Sequence, residues 1–124
     1  MFKNYLITGG SGFIGSSIVK NLVEFGHNVR VIDNNSRGKI SRLESVQHDI
    51  NFVEGDVRNS DLVIKSTKGI DCIIHLAYIN GTELFYTKPD EVLDVAIKGM
   101  TNLLDSAIKN NVPEFFLASS SEVY

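Results

Sequence analysis

Cysteine is nearly absent. Cys72 is the only one in 124 residues, so no internal disulfide and no cysteine-based zinc cluster can form. It stands in the apolar run Asp71-Cys72-Ile73-Ile74, where a small buried core residue is the expected role. His27 and His48 are isolated in polar stretches, and no metal site is expected from them. Basic excess is missing too. Twelve Lys and Arg against fifteen Asp and Glu give a formal net charge of −3, and the cations are scattered with no aromatics between them. That pattern speaks against a nucleic-acid partner. No apolar stretch approaches the ~20 residues needed to span a bilayer. The start, Met1-Phe2-Lys3-Asn4-Tyr5, enters a strand without a signal-peptide layout. A reducing cytoplasm with no membrane partner is the expectation.

What remains is ordinary globular composition, 43% apolar and 22% charged, in a length that suits one domain. Apolar runs of strand length alternate with amphipathic segments, the sign of a parallel sheet with crossover helices. The predicted strands are Tyr5-Leu6-Ile7, Val29 to Ile32, Ile50 to Glu54, Cys72 to Leu76 and Phe115 to Ala118. A helix is predicted from about Gly12 to Phe25, with Ile14, Ile18, Leu22 and Phe25 on its apolar face. Gly26 would stop it. Shorter helices are expected through Leu43 and Val46, and from a Ser60 cap to Lys65. Pro89 opens a long helix to Asn110, with a stripe of Val92, Val95, Ala96, Met100, Leu103, Leu104 and Ala107. Phe85 and Tyr86 are expected to be core or interface aromatics, and Asn80-Gly81 is a turn signal. The fifth strand has no covering helix after it. Parallel sheets need both faces covered, so the chain is expected to be the N-terminal portion of a longer protein.

The chemistry concentrates in Gly9-Gly10-Ser11-Gly12-Phe13-Ile14-Gly15. This G-x-x-G-x-x-G follows a strand and opens a helix, the context in which such a loop binds a dinucleotide. Gly9 permits the tight turn, Gly12 lets a pyrophosphate approach the backbone, and Gly15 lets helix and strand pack closely. The free N–H groups and positive end of the helix, at Phe13 and Ile14, would face the phosphates. No Lys follows the last glycine in G-K-[ST] form, which disfavours ATP or GTP hydrolysis. Asp33 stands eighteen residues after Gly15, at the end of the second strand, where an acidic residue accepts hydrogen bonds from the adenosine ribose. Its charge would repel a 2′-phosphate, so NAD is expected over NADP, although Arg37 lies close enough to blur the preference. The fold class is α/β, a Rossmann-type doubly wound parallel sheet of which this is a five-strand N-terminal portion.

The segment Thr8 to Gly15 resembles the opening of the extended short-chain dehydrogenase/reductase family, the nucleotide-sugar epimerases and dehydratases. Further matches follow in the family's order. Asp33-Asn34-Asn35-Ser36-Arg37-Gly38 resembles its ribose-binding loop, and Gly55-Asp56-Val57-Arg58 its adenine-side loop. His75-Leu76-Ala77 resembles the His-x-Ala element lining the nicotinamide side. Lys98 to Leu104 matches the helix before the fifth strand, and Ser119 to Tyr124 the active-site serine segment. The resemblance implies cofactor contacts at Gly9, Gly12, Phe13, Ile14, Gly15, Asp33, Asn34, Ser36, Arg37, Gly38, Asp56, Val57, Leu76, Ala77 and Tyr78. Asp56 would bond the adenine amino group; a turn-stabilising Asp after Gly55 is the alternative. His75 is read as structural before catalytic.

The implied reaction is oxidation of a nucleotide-linked hexose by tightly held NAD to a keto intermediate. Epimerases then return the hydride to the other face, dehydratases eliminate water, and decarboxylases lose CO2. Ser120 falls on the hydroxyl that bonds the reacting sugar oxygen, with a turn serine as the alternative. Ser121 and Glu122 occupy positions where some relatives carry an extra acid or base; Glu122 could equally be a solvated carboxylate. The family's Tyr-x-x-x-Lys base is not found. Tyr5, Tyr78 and Tyr86 are followed four on by Gly9, Thr82 and Asp90, and Tyr124 is the last residue. The 124 residues are therefore expected to be an NAD(P)-binding Rossmann domain ending before the Tyr-x-x-x-Lys helix and the substrate-binding region, binding cofactor without turnover. Tyr78 replaces a customary small residue and Ala96 a customary Asn, which sets the chain apart from the commonest 4-epimerases. The resemblance implies a homodimer in the full-length protein, formed in part through this long helix. Competing readings are a non-catalytic NAD-binding module and an NADP-dependent carbonyl reductase of the same superfamily.

Overall fold

The computed structural model describes residues 1–120; Ser121, Glu122 and Tyr124 lie outside the described residues. Five strands, β1 (Asn4–Thr8), β2 (Asn28–Asp33), β3 (Ile50–Glu54), β4 (Cys72–His75) and β5 (Glu114–Leu117), form one parallel sheet in the order β3-β2-β1-β4-β5. The helices are α1 (Phe13–Glu24), α2 (Ser60–Ser66), α3 (Thr82–Thr87) and α4 (Pro89–Lys109), with a 3-10 helix at Ile40–Val46. The chain leaves β1 for β2 on one side and returns to β4 on the other. A crevice therefore opens between β1 and β4 at the strands' C-terminal edge, the place where doubly wound sheets hold ligands.

Helices pack on both faces of the sheet, because successive strand residues point to opposite sides, but β5 is partly open, with Phe116 57% and Leu117 49% exposed. On one face Ile7, Val29 and Val31 pack with Val19 of α1 and Leu43 of the 3-10 helix. On the other, Leu6, Ile32 and Ile73 pack with Val63 of α2 and Val95, Leu103 and Ala107 of α4. Leu6, Ile7, Ile32 and Ile73 are fully buried, each contributing roughly 1.5–3 kcal/mol of burial. Helix α4 starts at Pro89 with Asp90 and Glu91 in its first turn and ends with Lys109 in its last, charges that oppose the helix dipole. Asn111 at φ 55 breaks it. Asn110 Nδ2 then donates to the Ile64 carbonyl and to Thr67 Oγ1, tying the ends of α2 and α4 together.

The expected strands and long helices are present, and Ile18 and Leu22 of α1 and Val95, Leu103 and Ala107 of α4 pack on the core as expected, but other residues of those faces do not. Ile14 and Phe25 are exposed, at 66% and 75%, and the buried face of α1 is Gly15, Ser16 and Val19. Its rotation is set by Gly15, where a Cβ would overlap the Gly9 carbonyl oxygen. Hydrophobicity alone ranked Ile14 above a glycine. In α4 the core face is Val95, Gly99, Leu103, Ser106 and Ala107, while Leu104 is exposed. Asn59, not Ser60, caps α2, accepting from the Leu62 amide. Helix α3 was not anticipated, and its Phe85 and Tyr86 face outward instead of entering the core.

Candidate cofactor-binding site

The glycine loop crosses the crevice between β1 and α1. Gly9 adopts φ 76, a left-handed conformation that costs glycine little, and its amide donates to the Ile32 carbonyl at 2.8 Å. A Cβ there would also press on the Leu76–Ala77 backbone, 3.0 Å from the Leu76 carbonyl carbon. The Gly12 amide donates back to the Gly9 carbonyl at 3.1 Å, closing the turn. Gly12 is the N-cap of α1 and no side chain caps it, so the first-turn amides of Phe13, Ile14 and Gly15 keep their donors for a ligand. A Cβ on Gly12 would meet only the Gly9 oxygen, at 3.2 Å, and otherwise open space. Phe13 and Ile14 are correspondingly exposed. This cradle suits a pyrophosphate in shape, donors and dipole. Gly10, which has no separate role in the glycine motif, packs inward: a Cβ there would lie 2.5 Å from a Val31 methyl.

Behind the loop sits a buried clamp. Asp33, at the end of β2, is 8% exposed. One of its carboxylate oxygens accepts from the Ser11 amide at 3.0 Å and the other from the Asn35 amide at 2.8 Å. A carboxylate offers about four acceptor positions, so two remain for ribose hydroxyls. Ser11 is fully buried, and its hydroxyl donates to Asn35 Oδ1 at 3.0 Å. Asn35 holds φ 58, a conformation Asn tolerates better than most residues. The Ser36 amide donates to Asn34 Oδ1 at 3.0 Å, an Asx turn that carries the chain outward. Gly38 then lies against Ser11 so closely that a Cβ would overlap its hydroxyl. The Lys39 amide and Arg42 Nη1 both donate to the Ser11 carbonyl, at 3.0 and 3.2 Å. Arg37 is exposed and extends toward the loop after β4, its Nη1 lying 3.5 Å from where a Gly81 Cβ would be.

The loop after β4 is fixed by a second buried anchor. Thr8 Oγ1 accepts from the Leu76 and Ala77 amides at 3.1 and 3.2 Å, and lies 2.6 Å from His75 Nδ1. The Leu76 amide is shared with the Thr8 carbonyl, also at 3.1 Å, and one proton lies between Thr8 Oγ1 and His75 Nδ1. Nε2 is buried without a hydrogen-bond partner among the described residues. Burial pushes the His75 pKa down to about 4, keeping the ring neutral. The half-buried Tyr78 ring lies 4.7 Å from it, centroid to centroid, and burial raises the Tyr78 phenol. Gly99 of α4 makes room on the far side, where a Cβ would come within 2.7 Å of Val57.

The loop after β3 is held by charge. The Arg58 amide donates to Asp56 Oδ1 at 2.8 Å, and its guanidinium grips both Asp56 oxygens, with Nη2 2.7 Å from Oδ2. This pairing holds the Asp56 carboxyl below the usual carboxylate range. Arg58 Nη1 continues to Asp94 of α4 at 3.0 Å, and Lys98 Nζ pairs with the other Asp94 oxygen at 2.7 Å. The Val57 carbonyl accepts from Asn102 Nδ2 at 2.9 Å. The turn-stabilising role weighed for Asp56 is thus present, and one acceptor position is left over.

Because the strands are parallel, all these loops share one edge of the sheet. Ser120 is exposed just beyond β5 on that edge, where the Ala118 amide still bonds the His75 carbonyl at 3.3 Å. Sequence reasoning missed Thr8, Ser11, Asn35 and Arg58. Only Asn35 and Arg58 left a trace, each standing two residues after an Asp whose side chain its amide caps. Among the described residues no cluster of three His, Cys, Asp or Glu is placed to hold a metal. None of the described helices is long and apolar enough to cross a membrane.

Residues 5–124 match the model of the NAD dependent epimerase/dehydratase family. The chain is 35% identical over its full length to a UDP-N-acetyl-alpha-D-glucosaminuronate decarboxylase of Bacillus cytotoxicus. It is 32% identical over 98% of its length to a UDP-glucose 4-epimerase of Neisseria meningitidis. It spans about 38% of each relative. The crystal structure of a UDP-glucose-4-epimerase from Stenotrophomonas maltophila, with bound NAD and formylated UDP-arabinopyranose, superposes with a TM-score of 0.91 at 27% identity. That match covers 98% of this chain and 38% of the other. With the family model matched over nearly its whole length, the chain belongs to the NAD-dependent epimerase/dehydratase family.

Proposed function

We propose that this chain is the NAD-binding part of an enzyme that acts on a nucleotide-linked sugar through a transient keto-sugar, as an epimerase, dehydratase or decarboxylase. The observation that carries the reading is the uncapped first turn of α1 seated beside the buried Asp33 carboxylate. When bound, NAD supplies hydride acceptance from the sugar and its return. The chain's own residues position it. The amides around Gly12 to Gly15 neutralise the pyrophosphate, Asp33 accepts from the adenosine ribose, and Asn34 and Ser36 to Gly38 close the ribose side. Asp56 and Val57 take the adenine. Leu76, Ala77 and Tyr78 wall the nicotinamide side.

Ser120 would bond the reacting sugar oxygen, with Ser121 and Glu122 as its neighbouring polar groups. The Tyr-x-x-x-Lys pair of the family is not among the 124 residues, so the part assigned to them is cofactor binding. The partner is a second copy of the protein, docked on α4. Leu93, Ile97, Leu104 and Ile108 line an exposed stripe there, 44–77% accessible. The compartment is the cytoplasm, where the single buried thiol of Cys72 stays reduced.

Calorimetric titration with NAD and with NADP tests the reading. Saturable binding with NAD preferred by about tenfold or more is expected, since a 2′-phosphate would face Asp33. NADP binding as tightly would favour the carbonyl-reductase alternative, and absence of binding would overturn the proposal.

A further inference from the structure

We infer that Arg58 is a specificity-determining positioning residue: by locking the Asp56 side chain from three directions and bracing itself on Asp94 of α4, it makes the cofactor site select the 6-amino group of adenine over a 6-keto group. The inference rests on the reading of Asp56 as the adenine contact and deepens it.

The geometry is specific. Asp56 Oδ1 accepts from the Arg58 amide at 2.8 Å and from Nε at 3.1 Å, and Oδ2 accepts from Nη2 at 2.7 Å and shares Nε at 3.1 Å. A carboxylate has about four acceptor positions. The amide, Nε and Nη2 of one residue bring three donors to these positions, Nε shared equally between the two oxygens, so the carboxylate is held against rotation and has capacity for one further donor. An ionised Asp accepts and does not donate, and the Arg58 grip fixes where it accepts. It rewards an amino group and repels a carbonyl oxygen at the same place.

Arg58 cannot swing away easily, because Nη1 is held 3.0 Å from Asp94, which Lys98 pairs from the other side at 2.7 Å. The segment between them is fastened independently. The Val57 carbonyl accepts from Asn102 at 2.9 Å, and Val57 fills the space left by Gly99. Removing the Arg58 side chain therefore leaves the Asp56 carboxylate with the residue-58 amide on Oδ1 and takes the guanidinium grip off Oδ2, while the backbone around it keeps its supports. That separates aiming from folding, and it is why the effect falls on selectivity.

The test is the ratio of dissociation constants for NAD and nicotinamide hypoxanthine dinucleotide, in which the 6-amino group is replaced by oxygen. The wild-type protein should prefer NAD by about tenfold or more, the worth of a hydrogen bond to a charged group. Arg58→Met should bring the ratio to within about twofold of unity, with affinity for the hypoxanthine dinucleotide little changed. Arg58→Lys, which keeps the charge and loses the fork, should lose most of the preference. Asp94→Asn removes only the outer brace and should lower the ratio part way; it also serves as the readout if Arg58→Met does not fold. Equal weakening of both dinucleotides, leaving the ratio intact, would mean that Arg58 merely supports structure and would overturn the inference. Absence of preference in the wild type would instead remove Asp56 as the adenine contact. Failure of NAD to bind at all would remove the cofactor reading itself.

Discussion

Two loops that face the cofactor at the same edge of the sheet are held in opposite ways. After β2, the segment from Asp33 to Lys39 is bolted to Ser11 by the buried Asp33 carboxylate, by the Lys39 amide and by a glycine contact at Gly38 too close for any Cβ. After β3, the segment from Gly55 to Arg58 is held largely by a chain of charges, Asp56–Arg58–Asp94–Lys98, whose first three side chains are about one third exposed. Buried bonds of the first kind do not respond to salt and fail only when an atom is added or a partner removed. Exposed ion pairs are screened and individually contribute little. The ribose end of the site is therefore rigid by construction, and the adenine end is adjustable by solution conditions.

The largest break in the rigid half should come from Gly15→Ala. Its methyl would overlap the Gly9 carbonyl, forcing α1 away from the loop at a cost of about 1–3 kcal/mol or more. Chemical denaturation should show this as a lowered midpoint, and NAD binding should fall below detection.

The buried Thr8–His75 anchor gives the next effect, and a pH profile isolates it. The His75 pKa is pushed down to about 4 by burial, against about 6.5 unfolded. As pH falls below 6.5 the unfolded chain takes up a proton that the folded chain refuses. Stability is thus complete above 6.5 and declines until about 4, by up to about 3 kcal/mol. Below that range the Asp56 and Asp94 carboxyls, both lowered by their pairing with Arg58 and Lys98, begin to be lost. Denaturation curves of His75→Gln should be flat between pH 6.5 and 4.5 relative to wild type while keeping the acid limb; an unchanged slope would remove His75 as the cause.

Asp33→Ala should cost about 1–3 kcal/mol, because it leaves the Ser11 and Asn35 amides without their acceptor. It should also erase the preference for NAD over NADP, read by the same calorimetric titration. The smallest effect sharpens the contrast from the other side. Raising the salt from about 0.05 to about 0.5 M should loosen only the ionic half. Stability should change by less than about 1 kcal/mol, while discrimination between NAD and its hypoxanthine analogue declines. Unchanged discrimination between NAD and its hypoxanthine analogue across that salt range would contradict the comparison.

The same contrast explains what could be read in advance. The sheet, the crossover pattern, the glycine loop and Asp33 follow from periodicity and spacing, which are local properties of the chain. The third strand, Ile50–Glu54, was bounded by the same residues in both readings. The rotation of α1 was not legible, because it depends on a steric contact between Gly15 and a carbonyl six residues earlier. Ile14 and Phe25, apolar and in the same spacing as Ile18 and Leu22, turn outward while those two pack on the core. Ser11 was invisible as a clamp because its partners, Asp33, Asn35 and Gly38, come from another strand-end loop. Arg58 was quoted only as part of a motif. Its bracing partner, Asp94, lies thirty-six residues away and nothing local announces it.

The most direct test of the central claim, that cofactor binding is built on the uncapped start of α1 and the Asp33 clamp, is an amide NMR titration with NAD. The largest shifts are expected at Ser11 to Gly15, Asn35 and Leu76 to Tyr78, with Val57 following and the opposite strand ends at Asn4 and Asn28 silent. Shifts concentrated at those opposite ends, with the glycine-loop amides unmoved by saturating NAD, would contradict the account.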